Sequence, residues 1–109
     1  MQPQQRRVLH YLAAGKDLFG NWLDGLADIM VRAAIIKRID RVEEGNFGDH
    51  RNIGRGVWEL RIHYGPGYRV YYGEDGLIIV LLLCGGDKAS QKKDIHKAHK
   101  LWAAYGRGK

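Results

Sequence analysis

Val57–Asp94 reads VWELRIHYGPGYRVYYGEDGLIIVLLLCGGDKASQKKD. Trp58, Leu60, Ile62 and Tyr64 alternate with Glu59, Arg61 and His63. A period of two marks a strand, because successive side chains leave opposite faces of the backbone. Tyr68, Val70 and Tyr72 alternate with Arg69 and Tyr71 in the same way. Gly65-Pro66-Gly67 between the two runs is a turn, since Pro sets φ and Gly allows positive φ. A hairpin that keeps both apolar faces together gathers Arg61, His63, Arg69 and Tyr71 on one surface. Asp75-Gly76 is a two-residue hairpin signal, and the apolar run that follows it to Cys84 suits a strand covered on both faces. The expected core is therefore Trp58, Leu60, Ile62, Val70 and Leu77–Leu83. The expected polar face, open to a nucleic acid, carries Glu59, Arg61, His63, Arg69 and Tyr71.

Working outward, Arg6–Leu12 alternates weakly and predicts a short edge strand. Lys16–Gly25 places Leu18, Phe19, Trp22 and Leu23 at helical spacing. Asp28–Glu44 carries the stripe Val31, Ile35, Ile39, Val42, with Asp28 as N-cap and Gly45 just past the end. The two helices are expected to pair and cover one side of the sheet. Asn46–Gly56 is polar, glycine-rich and aperiodic, so it reads as a loop, and it carries Arg51 and Arg55. Gly85-Gly86-Asp87-Lys88 ends the apolar strand. Ser90 then opens a lysine-rich helix in which Ile95, Ala98, Trp102 and Tyr105 recur. The order β, α, α, β, β, β, α predicts one α+β domain over residues 1–109 with an antiparallel sheet.

The 109 residues suffice to bury about 65% of the unfolded surface without disulfides or metals. Cys84 is the single cysteine, which excludes a disulfide framework and suits a reducing cytoplasm. No run reaches the ~18 apolar residues of a membrane span, and the N-terminus lacks the apolar segment of a secretion signal. Eighteen Lys and Arg against twelve Asp and Glu leave a net charge of +6. That balance favours polyanionic partners, because each neutralised phosphate releases counterions.

Familiar catalytic patterns are mostly absent. Gly65-Pro66-Gly67 joins two strands, where a dinucleotide fingerprint joins strand to helix, and Gly85-Gly86-Asp87-Lys88 lacks the spacing of a phosphate loop. His96 and His99 have no third metal ligand in sight and read as surface histidines, so neither metal nor cofactor is expected. Cys84 with His63 could form a thiol pair, but a cysteine ending an apolar strand is more often a small hydrophobe. Glu59 is as readily the ion-pair partner of Arg61 as a proton carrier. What remains is the polar strand face with Lys88 and Lys92 at its edge. It is either a solvated salt-bridged surface or a site where cations stabilise phosphate charge and Glu59, His63 or Tyr71 moves a proton.

Taken together, GN-x-GD from Gly45, GVWELRI, GPGYRVY and GGDK followed by SQ and DI resemble the RelE/ParE superfamily of bacterial toxins, most nearly its HigB-like branch of addiction module killer proteins. The similarity runs from about Phe19 to Ala98. It implies an antiparallel sheet with two N-terminal helices on one face and a C-terminal helix. It also implies a cytoplasmic toxin of a type II toxin–antitoxin module: a ribosome-dependent mRNA endonuclease that works in the ribosomal A site without a metal. A small helix-turn-helix antitoxin would neutralise it, and charge complementarity predicts that it covers the cations with acidic side chains or displaces the lysine-rich last helix. By motif, Arg69 and Lys88 correspond to the family's cationic residues, with Arg61 beside them as a third catalytic candidate. Arg51, Arg55, Lys92 and Lys93 are candidate RNA contacts. The general acid and base stay open among Glu59, His63 and Tyr71, since Tyr105 aligns poorly with the family's C-terminal residue. Two rivals share the fold: a ParE-like DNA gyrase poison, and a non-catalytic module that only binds antitoxin or RNA.

Overall fold

The computed structural model describes residues 4–108. A five-stranded sheet is built from β1 (Arg7–His10), β4 (His50–Asn52), β5 (Val57–Ile62), β6 (Tyr68–Asp75) and β7 (Ile79–Asp87), in the order β1-β7-β6-β5-β4. The chain between β1 and β4 forms a small hairpin, β2 (Leu12–Ala13) with β3 (Lys16–Asp17), then α1 (Leu18–Asp24) and α2 (Ile29–Glu43), while α3 (Gln91–Arg107) follows β7. The α+β arrangement expected from the sequence is present. The expected antiparallel pairing holds from β4 through β7, and β1 joins the edge in parallel with β7, making the sheet mixed. A parallel neighbour needs a long crossover, and here most of the chain supplies it.

Alternation decides which side chains share a face. Leu60, Ile62, Val70, Tyr72, Val80 and Leu82 form one buried layer, and Phe19 of α1 with Val31, Ile35, Ile39 and Val42 of α2 packs on it. The α2 stripe is the one its spacing predicts, and Asp28 caps the helix by accepting from the Met30 amide at 2.9 Å. Gly45, at φ +90°, ends it as expected.

The opposite face differs from expectation. Val57, Tyr71, Leu83, Cys84 and Ala98 form a second core, lined by Ile95, Leu101 and Trp102 of α3. Glu59 and Tyr71, expected at an open surface, are both 0% exposed. The amphipathic α3 needs a surface for its apolar side, and only this sheet face was left. A bulge in the β6–β7 pairing seats Tyr71 opposite Cys84 and Tyr72 opposite Leu82, so Leu83 and Cys84 both enter the second core.

Other departures are local. β5 stops at Ile62, so Tyr64 is exposed rather than core. The loop after β6 spans three residues rather than two, leaving Leu77 78% and Ile78 45% exposed. Ser90 stands at the N-cap of α3 as expected but makes no side-chain capping bond: its hydroxyl donates to Asp94 at 2.5 Å and accepts from the Asp87 amide. The loop expected over residues 46–56 contains β4, which three polar residues without alternation could not reveal.

A cationic cluster around a buried carboxylate

Cross-strand register assembles the site. Glu59 lies opposite Tyr71 and Arg61 opposite Arg69 across β5–β6, while Arg51 of β4 lies opposite Glu59 on the other side. Directly opposed residues on one face approach within about 5 Å, so four of the five expected strand-face residues meet here, with Arg51 beside them.

Glu59 is the centre. Its Oε1 accepts from Arg61 Nε at 3.2 Å and pairs with Arg51 Nε at 3.2 Å. Its Oε2 accepts from the Tyr71 hydroxyl at 3.1 Å and Gln91 Nε2 at 3.0 Å, and faces Arg69 Nε at 3.6 Å. Burial alone would raise the Glu59 pKa, but hydrogen bonds from Gln91, Tyr71 and Arg61 and the charge of Arg51 more than offset it. The net shift is downward, so the carboxylate stays ionised. Burial, with the Glu59 charge and hydrogen bond, pushes the Tyr71 phenol far above its ordinary value.

Three guanidiniums surround one carboxylate, leaving excess positive charge. Their side-chain exposure rises from 12% at Arg69 through 32% at Arg61 to 48% at Arg51, so the cluster opens to solvent along one side. Arg69 keeps donor capacity: its Nε and Nη1 are buried without a hydrogen bond. An arginine so placed can turn toward an oxyanion that offers acceptors.

The remaining expected site residues are more dispersed. Lys88 is exposed one residue beyond β7, whose last residue, Asp87, lies opposite Tyr68, so Lys88 sits at the Arg69 end of the sheet. Lys92 and Lys93 are exposed in the first turn of α3, beside Gln91. His63 leaves the group. It follows the end of β5, is 74% exposed and pairs with Asp49 at 2.5 Å. Arg55 also stands apart, lining a cleft of about 420 Å³ along α3 with His96, His99, Lys100 and Arg107. Tyr105 is remote from the cluster, donating its hydroxyl to Asp75 and stacking on Trp102 near the far end of α3. Burial holds the Cys84 thiol up at about 12, as befits a small apolar side chain.

Gln91 was not singled out by the sequence reading, although it supplies a direct hydrogen bond to Glu59. Its signal lay in plain view, as the Gln of the SQ pair after GGDK. Asp94, the acid of the DI pair, is 9% exposed and receives the Ser90 hydroxyl, fixing the start of α3 over the sheet.

Residues 21–103 match the family described as phage derived protein Gp49-like (DUF891). A protein of Haemophilus influenzae described as uncharacterized is 47% identical over 83 residues, covering 76% of this chain and 84% of its own length. The matched span includes the end of α1, all of α2, the Arg-Glu cluster and most of α3. The chain therefore belongs to the Gp49-like family of phage-derived proteins, within the RelE/HigB-type addiction module killer superfamily.

Proposed function

We propose that this chain is the toxin of a type II toxin–antitoxin module and that it cleaves mRNA on the ribosome without a metal. The observation that carries the reading is the gathering of Arg51, Arg61 and Arg69 around the buried Glu59, with excess positive charge opening to solvent on one side. RNA cleavage of this kind moves a ribose 2′-oxygen onto the adjacent phosphorus and expels the 5′-oxygen. A proton leaves the 2′-hydroxyl and another reaches the departing oxygen. The added charge gathers on the phosphate oxygens, where arginines fixed in advance stabilise it best. Arg69 and Arg61 take that role, with Lys88 at the edge, while Glu59 and Gln91 hold the arginines in place. Arg51, Lys92 and Lys93 guide the flanking strand, and Arg55 contacts RNA further along α3. Glu59 and Tyr71 are buried and bonded to each other, and His63 stands apart from the arginines against Asp49, so none of the three is assigned the proton transfer.

Inducible expression in a bacterial host, with growth and primer extension on host mRNA as readouts, tests the reading. The wild-type chain stops growth and produces discrete cleavages. Arg69→Ala lowers cleavage by about a hundredfold, the scale of losing one preorganised charge donor. Full cleavage by that variant overturns the role of Arg69. Intact mRNA with an induced DNA-damage response replaces the nuclease by a gyrase poison, and neither effect leaves a binding module.

A further inference from the structure

Cations gather on three surfaces of the described residues, and the three differ in how much of their charge is already answered. Arg51, Arg61 and Arg69 share Glu59. A cleft of about 430 Å³ beside α2 holds Lys37, Arg38 and Arg41, but Asp49 lines it too, and Arg38 donates to the carbonyls of Asp49 and Arg61, both at 3.1 Å. The third is the cleft along α3, lined by Arg55, His96, His99, Lys100, Ala103 and Arg107. No carboxylate is among these lining residues, and no ion pair among the described residues engages Arg55, Lys100 or Arg107.

The β4–β5 loop is held against α3 from several sides. The Ile53 amide donates to the Val57 carbonyl and the Val57 amide to the Gly54 carbonyl, both at 3.0 Å, while the Asn52 side chain accepts from the Gly54 amide at 2.8 Å. His99 Nε2 reaches the Ile53 carbonyl at 2.9 Å, and because a carbonyl only accepts, the imidazole is the donor. Gly56 lies so close to Trp102 that a Cβ would stand 2.7 Å from the indole nitrogen. Within that frame Gly54, Arg55 and Gly56 all have positive φ, of 89°, 56° and 81°. Glycine takes this conformation freely and arginine rarely, yet the bend it makes carries Arg55 to the wall of the cleft. A charged side chain kept on strained backbone is a pointer to function.

The cleft is elongated. His96, His99, Lys100, Ala103 and Arg107 form one stripe on the side of α3 away from the buried Ala98. From His96 to Arg107 the stripe runs about 16 Å, at a rise of about 1.5 Å per residue. A compact anion would meet only part of it, whereas a chain of phosphates meets cations along its length. No Phe, Tyr or Trp lines the cleft, so a base would find nothing to stack on. The stripe begins about 8 Å along the helix from Gln91, which touches Glu59, so a phosphate held by Arg69 is not one held here.

We infer that α3 and the β4–β5 loop form a second anion site whose ligand is a chain of phosphates, supplied by a free oligophosphate or by a nucleic-acid backbone. It rests on the cleft and not on the nuclease reading.

Calorimetric titration of the full chain with sodium tripolyphosphate tests it, in about 0.1 M salt so that attraction beyond about 10 Å is screened. Tripolyphosphate binds the wild-type chain. K100E/R107E weakens it by about tenfold or more, and R55N, which keeps a residue tolerant of left-handed backbone, weakens it as well. K37E/R41E makes the same change of charge at the α2 cleft and leaves the affinity unchanged. All three variants alter exposed side chains, and circular dichroism verifies their folding. The inference is overturned if tripolyphosphate does not bind, or if K37E/R41E weakens it as much as K100E/R107E, for the attraction is then one of bulk charge. It is equally overturned if Arg69→Ala abolishes binding, for the Glu59 cluster then holds the anion. A short single-stranded RNA, read by anisotropy, separates the two sources. RNA that K100E/R107E weakens and tripolyphosphate displaces identifies a nucleic-acid backbone, and RNA untouched by both identifies a free oligophosphate. Absence of mRNA cleavage by the wild-type chain with normal tripolyphosphate binding defeats the nuclease reading alone.

Discussion

Glu59 shows how one residue can satisfy a strand pattern and still confound its meaning. Its place on the face with Arg61, Arg69 and Tyr71 follows from a period of two, and the register bears that out. Its burial does not follow, because that depends on α3 arriving over the same face. An isolated buried carboxylate is costly, and three hydrogen bonds with the charges of Arg51 and Arg69 make this one tolerable. Removing the charge leaves three arginines repelling one another, so Glu59→Gln is expected to cost about 3 kcal/mol in urea unfolding, in the range for breaking a buried pair. The pH dependence has a definite sign. Glu59 has a lowered folded pKa, so its contribution is present above the unfolded value of about 4.3 and fades as pH falls through the folded value. Unfolding measured from about pH 6 down to pH 3 should show a steeper acid loss in wild type than in Glu59→Gln. Parallel curves for the two proteins would mean that Glu59 is not held ionised.

At the scale of elements, two glycines let helices lie flat on the sheet. A Cβ on Gly85 would come within 2.3 Å of the Trp22 ring of α1, and one on Gly73 within 2.5 Å of the Trp102 ring of α3. Each tryptophan therefore covers a glycine, one on each face, and the indole is too large to step aside without moving its helix. Gly85→Ala and Gly73→Ala are each expected to destabilise by about 1–3 kcal/mol through overpacking, measured by thermal or urea unfolding. Gly65→Ala meets no neighbour within 4 Å, though its φ of +57° adds backbone strain, so its loss separates strain from crowding. The sequence made α2 legible through its stripe and its cap. It left β4 illegible, because His50, Arg51 and Asn52 owe their strand to β5 and not to any local preference.

Across the whole molecule, positive charge is distributed among three surfaces rather than gathered on one. The net +6 argued for a polyanion, but the fold divides the cations between the Arg51-Arg61-Arg69 side and the α2 cleft, with a third group along α3. RNA affinity should fall with rising salt, with a log–log slope of about −0.7 per phosphate contacted on a single strand. Arg69→Ala should make that slope shallower by about one contact, read from binding titrations at several salt concentrations. An unchanged slope would place the bound phosphates elsewhere. Among the described residues, no helix is long and apolar enough to cross a membrane.

The sequence by itself determined the elements with strong period: α2, the apolar β7, and the two alternating strands whose register brings Glu59, Arg61, Arg69 and Tyr71 together. These follow from local geometry, since side-chain direction repeats every two or 3.6 residues whatever the surroundings. Tertiary structure alone decided that this polar face is roofed by α3 and that Arg51 joins from a hidden edge strand. It also moved His63 away to Asp49 and brought Gln91 to Glu59. Each of those outcomes depends on which distant segment covers which face, and solvent exposure is a property of that packing rather than of any stretch of chain.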